Sequence, residues 1–247
     1  MALLTRDRLS LGSSELDGML GGGLLKGSAT LVSGAPGVGK TTLGLQFLIS
    51  GIAAGQTGLL VSFEEFPASV IRDAAQLGWD LKALEKNGSL GIIFTSPRIF
   101  LESLKAQQGP IAEQIMQLQP DRLVIDSTSH FQRLTTDALE LREIYNTLVN
   151  AIKRQEMTVL FLDEALDVLQ SQRGRMASLP FVVDTVLLMR YVELDSTVQR
   201  AIAVMKMRGS AHQKEIRGFA IAEGGLVIGE PFADRGGILS GTAHRIA

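Results

Sequence analysis

Short apolar runs alternate with amphipathic stretches along the first two thirds of the chain. Ala29–Ser33, Gly58–Phe63, Leu90–Phe94, Arg122–Asp126 and Thr158–Asp163 are apolar runs of strand length. Between them, Thr41–Ala54, Pro67–Leu77, Pro110–Leu118 and Leu139–Arg154 carry helical spacing; in the last, Leu141, Ile144, Tyr145, Leu148 and Ile152 recur on one face. Pro67 and Pro110 stand in the first turn, where proline is tolerated because the missing N–H has no helical partner. Continuous apolar strands alternating with helices predict a parallel sheet covered on both faces. After Pro180 the pattern changes. Phe181–Val192, Thr197–Met207, Phe219–Ala222 and Leu226–Ile228 read as strands, with turns at Glu193–Ser196 and Glu223–Gly225. The expectation is an α/β core extended by a C-terminal antiparallel edge. No internal repeat, low-complexity tract or linker interrupts it, so residues 1–247 are read as a single domain.

Composition narrows the functional classes. A 247-residue chain with 45% hydrophobic and 20% charged residues describes a well-packed globule rather than disorder. The 24 Lys and Arg nearly balance 26 Asp and Glu, for a net charge of -2. That balance argues against bulk nucleic acid or an anionic membrane as the main partner. Cysteine is absent, which excludes disulfides, thiolate catalysis and Cys-ligated zinc. No apolar run follows the basic residues of the first ten positions, and none approaches the ~18 residues of a membrane span. A cytoplasmic protein is expected. The 26 glycines beside only 5% aromatic residues suit a backbone that must approach a ligand closely.

One motif carries most of the chemistry. Gly34-Ala35-Pro36-Gly37-Val38-Gly39-Lys40-Thr41 fits G-x-x-x-x-G-K-[ST], and it lies between an apolar strand and a helix, as a phosphate loop requires. Its glycines let successive N–H groups converge as an anion nest, and the helix N-terminus adds positive potential. Lys40 supplies a mobile charge for the β- and γ-phosphates, and the Thr41 hydroxyl can ligate Mg²⁺. Arg122-Leu-Val-Ile-Asp126 is an apolar strand ending in an acid, the shape of a Walker B element whose Asp holds Mg²⁺ through its water shell. Glu64-Glu65 follows another buried strand. Successive strand side chains point to opposite faces, so one acid can face a γ-phosphate while the other orients it or bonds elsewhere. The functional reading is a general base for hydrolysis; the plain one is a charged strand end. Asp163-Glu164 also follows a strand, as a γ-phosphate sensor or simply a polar loop start.

Together these residues resemble the KaiC-like branch of the RecA-superfamily ATPases, the family of the cyanobacterial clock ATPase. Four segments carry the resemblance over nearly the whole chain. They are the lead-in from Arg8 through Leu16-Asp17 to Gly21-Gly22-Gly23, the phosphate loop running on to Thr42, Ser62-Phe63-Glu64-Glu65 followed by Gly78-Trp79-Asp80, and Lys206-Met207-Arg208-Gly209-Ser210-Ala211-His212 with Lys214 and Arg217. The last is the most family-specific. The resemblance implies a RecA-like P-loop core that assembles into a hexameric ring with ATP between subunits. By position it implies that Gly34, Gly37, Val38, Gly39, Lys40, Thr41 and Thr42 hold the nucleotide, and that Glu64 is the proton acceptor with Glu65 beside it. It further implies that Lys206, Met207, Arg208, Ser210 and His212 reach the neighbouring subunit's nucleotide. Lys206 and Arg208, two residues apart on a strand, share a face. His130 and His244 receive no role.

Where the clock protein's second module has adjacent Ser-Thr phosphorylation sites, Pro180-Phe181 stands here, with Ser178 and Thr185 the nearest hydroxyls. Autokinase activity is therefore not expected. The leading function is a ring-forming, Mg²⁺-dependent ATPase with a regulatory output to a protein partner. The competing reading is a RadA/RecA-type protein that binds single-stranded DNA. It needs a basic loop, and Glu164–Leu179 holds Arg173 and Arg175 but also Glu164 and Asp167, without an aromatic for base stacking.

Overall fold

The computed structural model describes residues 7–164, 179–233, 235–240 and 244–245. Arg173, Arg175, Asp167 and Ser178, weighed above, lie outside them. Nine strands build the main sheet among the described residues. They are β1 (Ala29–Gly34), β2 (Gly58–Ser62), β3 (Leu90–Phe94), β4 (Arg122–Asp126), β5 (Thr158–Asp163), β6 (Thr185–Leu194), β7 (Thr197–Met207), β8 (Arg217–Ala222) and β9 (Gly225–Pro231). Their order is β9-β8-β7-β6-β1-β5-β4-β2-β3. From β3 to β6 every pairing is parallel. From β6 to β9 every pairing is antiparallel. This is the RecA-like core that the resemblance implies, with the C-terminal antiparallel extension that the hydrophobic pattern predicts.

The helices that flank the parallel strands are α1 (Lys40–Ala53), α2 (Pro67–Ala75), α3 (Leu81–Lys86), α4 (Pro97–Ala106), α5 (Pro110–Leu118) and α6 (Ala138–Arg154). They cover both faces because neighbouring strand residues point to opposite sides. Val32, Leu60, Val124 and Leu160 pack on one side with Leu43 and Phe47 of α1 and Val70 of α2. Leu31, Leu59, Leu123 and Phe161 pack on the other with Phe100 of α4, Ile115 of α5 and Tyr145 of α6. Asp195 and Ser196 join β6 to β7 with φ of 49° and 59°, the left-handed pair of a two-residue hairpin turn.

One expected strand is corrected. The run Phe181–Val192 does not begin as a strand: Leu179–Val182 is a short helix, and β6 starts only at Thr185. The helical turn survives because its carbonyls are claimed from outside. Lys206 Nζ donates to Pro180 O and Val183 O at 2.9 and 2.7 Å, and Arg208 Nη2 donates to Phe181 O at 2.9 Å.

A buried arginine fastens α1 to β4, the strand that ends in Asp126. Arg122, 2% exposed, donates through Nη1 to Ser10 O (2.6 Å), Phe47 O (2.7 Å) and Ser50 Oγ (3.0 Å), and through Nε to Gln56 Oε1 (2.7 Å). Its guanidinium lies 4.5 Å from the Phe47 ring centroid. A Cβ at Gly51 would stand 2.1 Å from Arg122 Nε, so this helix position has to be glycine. Arg122→Ala removes all four of these hydrogen bonds together with the packing on Phe47, and is expected to cost about 3 kcal/mol of unfolding free energy. Chemical denaturation is the check; a loss under about 1 kcal/mol would show that water replaces the guanidinium.

Candidate active site

The chain leaves β1 at its carboxyl end, between β5 and β6, which is where open α/β sheets place ligands. Two close approaches shape the loop there. A Cβ at Gly34 would stand 2.4 Å from Met189 O, and one at Gly39 would stand 2.9 Å from Ile221 Cδ1. Gly37 and Gly39 have φ of 74° and 115°, in the region that favours glycine. Val38 is fully buried and anchors the loop in the core. Gly39 begins α1 without a side-chain cap, and Leu43 N–H to Gly39 O (3.0 Å) is a first-turn helical bond. The N–H groups of Lys40, Thr41 and Thr42 precede it, so helix geometry leaves them unpaired within α1. Lys40 Nζ lies back on the loop, donating to Gly34 O and Ala35 O at 3.0 Å. Burial pushes its pKa down, while Glu164, Asp126, Asp163 and Glu64 favour the charged form.

Acids from three parallel strands converge on this edge. Asp126 ends β4 and accepts a hydrogen bond from Thr41 Oγ1 at 2.7 Å. Burial pushes its pKa up to about 6, against the Thr41 hydroxyl that favours the carboxylate. Asp163 ends β5, accepts from Thr128 Oγ1 at 3.1 Å, and is also raised by burial. Glu64 and Glu65 lie just past β2 and diverge to opposite faces. Glu64 Oε2 meets His130 Nε2 at 3.1 Å, beside the helices of the α6 face. Glu65 lines a cleft of about 230 Å³ with Thr41, Thr42, Val70 and Asp73, on the α1 and α2 face. Burial raises the Glu65 carboxyl, with Asp73 and Glu64 adding to it.

The C-terminal cations stand elsewhere in the chain. Lys206 pairs with Val186 and Met207 with Thr185, level with Leu31 and Thr30 near the start of β1. The phosphate loop leaves the other end of that strand, about 13 Å further along at the usual rise per residue. Arg208 follows one residue past β7, its N–H bonded to Asp184 O at 2.9 Å. It and Lys206 reach the same short helix, so they do share a side. Met207 points inward and is buried in the core. Ser210 Oγ accepts from Arg8 Nη2 at 2.6 Å, and Arg8 Nη1 also holds Leu20 O and Gly23 O. Gln213 N–H donates to Met19 O at 2.9 Å. The lead-in glycines and the segment bearing His212 thus form one unit, although about two hundred residues separate them.

A sequence profile of the KaiC ATPases matches residues 9–232. The chain belongs to the KaiC family. It is 37% identical over 235 residues to the circadian clock protein KaiC3 of Synechocystis sp., covering 95% of this chain and 46% of that protein. It is 36% identical over 240 residues to the circadian clock oscillator protein KaiC of Thermostichus vulcanus, covering 97% and 46%. For the namesake protein of Acaryochloris marina the identity is 35%, with coverage of 97% and 45%. The chain spans about half the length of the curated relatives it matches.

The residues at this KaiC-type edge fit a magnesium nucleotide. The glycine positions leave room that a Cβ would fill, the uncapped helix start suits phosphate, and the Thr41–Asp126 pair offers a hydroxyl and a carboxylate. No group of three or more His, Asp or Glu among the described residues could hold a metal by itself. A divalent ion here would rely on phosphate oxygens and water, the habit of Mg²⁺. Sequence reasoning missed two neighbours. His130 was given no role, yet it is the partner of Glu64. Ile221, on β8, packs against Gly39 from a stretch past Arg217 that carries no motif. No described helix is long and apolar enough to cross a membrane.

Proposed function

We propose that residues 1–247 act as one ATP-hydrolysing module that works in a ring of copies, most simply a hexamer, with each ATP held between two of them. The observation that carries this is the separation of the two halves of the site. The phosphate loop and its carboxylates lie at the carboxyl edge of the parallel strands, and Lys206 and Arg208 lie near the opposite edge. A cation on that edge serves a γ-phosphate only in another copy. Exposed apolar side chains accompany both halves: Phe66 and Phe94, with ring centroids 4.5 Å apart, near Glu64, and Phe181 beside Arg208. Two different complementary patches suit a head-to-tail contact that closes into a ring.

In this reading Gly34 through Thr42 cradle the phosphates, Lys40 moves from the loop carbonyls to the β- and γ-oxygens, and Thr41 and Asp126 hold Mg²⁺. A metal held there would help neutralise the charge that develops on the phosphates. Glu64 takes the proton of the attacking water as its oxygen bonds to the γ-phosphorus and the bond to the β-phosphate oxygen breaks. Lys206 and Arg208 of the neighbouring copy meet the charge that spreads over the departing phosphoryl group, with Ser210 and His212 flanking them. Met207, buried, has only its backbone to offer. Glu65 keeps the cleft beside Thr41 acidic. Thr185 is 2% exposed, which disfavours it as a phosphoryl acceptor. The output passes to a protein partner.

Mass measurement in solution with and without ATP, run beside phosphate release, tests the whole reading. A fully active monomer would overturn the shared site. Lys40→Ala tests the cradle alone. Losing a charge-assisted contact to phosphate is expected to weaken ATP binding about 10- to 100-fold in titration calorimetry. Unchanged affinity would move the nucleotide elsewhere.

A further inference from the structure

We infer that His130 is a positioning residue that aims the Glu64 carboxylate at its substrate water, an inference that rests on Glu64 being the base. A general base must hold one of its oxygens in a fixed direction, because small misplacements cost rate steeply. Glu64 has little of its own to fix it: its side chain is 61% exposed and it lies past the end of β2. His130 supplies the missing constraint. Its side chain is only 12% exposed, and its Nε2 lies 3.1 Å from Glu64 Oε2. An ionised carboxylate can only accept, so Nε2 carries the hydrogen and donates. That occupies one oxygen and leaves the other for the water.

The platform beneath the imidazole is rigid. His130 lies on a 3-10 helix, Thr128–Arg133, that follows the Walker B strand. Thr128 Oγ1 bonds Leu162 O and Asp163 Oδ1 at 3.1 Å, and Tyr145 OH donates to Thr128 O at 3.2 Å. The His130 ring meets the Phe63 ring edge-on at 6.4 Å, and Phe63 in turn packs on Phe131 and Phe100. Phe63 N–H donates to Asp126 O at 2.8 Å. Donor and acceptor are therefore carried by β2 and β4 where those strands are bonded to one another. The same stretch of chain sets the Asp126 carboxylate, which would hold a metal, and the imidazole that faces Glu64.

Four variants in the full chain test this. His130→Leu keeps apolar bulk against Phe63 and removes the donor; His130→Gln keeps a donor at similar reach. His130→Leu is expected to lower kcat about 10-fold at unchanged KM and unchanged melting temperature, with His130→Gln recovering most of the rate. Adding His130→Leu to Glu64→Gln should then lower the rate no further, because the group being aimed is gone. Wild-type kcat in His130→Leu, a rise in KM alone, or a second 10-fold loss in the Glu64→Gln background would each overturn the inference. If Glu64→Gln itself keeps the wild-type rate, the base assignment has failed instead, and that outcome is separate from the others.

Discussion

Glu64→Gln is expected to leave ATP bound and to slow phosphate release by at least about 10²-fold, the contribution of a positioned general base. The substitution keeps size and hydrogen-bonding shape and removes basicity. Binding should survive because, in the proposed site, the phosphates are held by other residues, the loop of Gly34 through Thr42, and the metal by Thr41 and Asp126. Glu65→Gln provides the contrast. The two acids are adjacent in sequence but turn to opposite faces of the sheet end, Glu64 to His130 and Glu65 to the cleft under α2. Burial raises the Glu65 carboxyl, so its amide removes a costly charge and should affect the rate less than the Glu64 change. Steady-state phosphate release and an equilibrium ATP titration on each variant are the checks. Wild-type release from Glu64→Gln, with Glu65→Gln the slow one, would exchange the two roles. Wild-type release from both would reduce the pair to a charged strand end.

Much of this site is local information. A phosphate loop is contiguous, and its glycines, lysine and threonine need one strand before and one helix after. Both are legible as an apolar run and a helical repeat. The strands Leu90–Phe94, Arg122–Asp126 and Thr158–Asp163 are found at their expected bounds because strands buried on both faces are continuous apolar runs. The helices Leu81–Lys86 and Pro97–Ala106 were missed. Their caps were visible, since Asp80 accepts from Ala83 N–H and Ser96 from Ile99 N–H, but their short apolar stripes gain stability only from the sheet they pack on. Long-range contacts account for the rest. The apolar run at Phe181 becomes a turn of helix because Lys206 and Arg208 take its carbonyls. His130 meets Glu64 only because β2 and β4 are neighbours in the sheet, a pairing that no stretch of sequence near either residue announces. Arg122 read as an ordinary strand start, and its partners Ser10, Phe47 and Gln56 come from three separate segments.

Arg208→Ala is expected to bind ATP normally and to lose roughly 10³- to 10⁵-fold in turnover, the range of a cation supplied in trans to a departing phosphoryl group. Within one chain Arg208 is occupied with Phe181 O, on the edge of the sheet away from Lys40. Its removal leaves the cradle of the same chain intact, which is why binding should persist while turnover falls. Lys206→Ala should behave alike but less cleanly. Lys206 also holds Pro180 O and Val183 O, and burial already pushes its pKa down, with the Arg208 charge adding to the shift. Mixing supplies the decisive measurement. Lys40→Ala subunits keep the Arg208 side and lose the cradle; Arg208→Ala subunits do the reverse. In a mixed ring some interfaces join an intact cradle to an intact arginine, so activity absent from either variant alone should return. Its size should follow the fraction of such interfaces as the mixing ratio is varied. If rings verified by mass to contain both variants stay inactive, the arginine acts inside its own chain. The opposite-edge placement would then have to be undone by a rearrangement of the β6–β7 hairpin on ATP binding, which amide exchange across Thr185–Met207 would register.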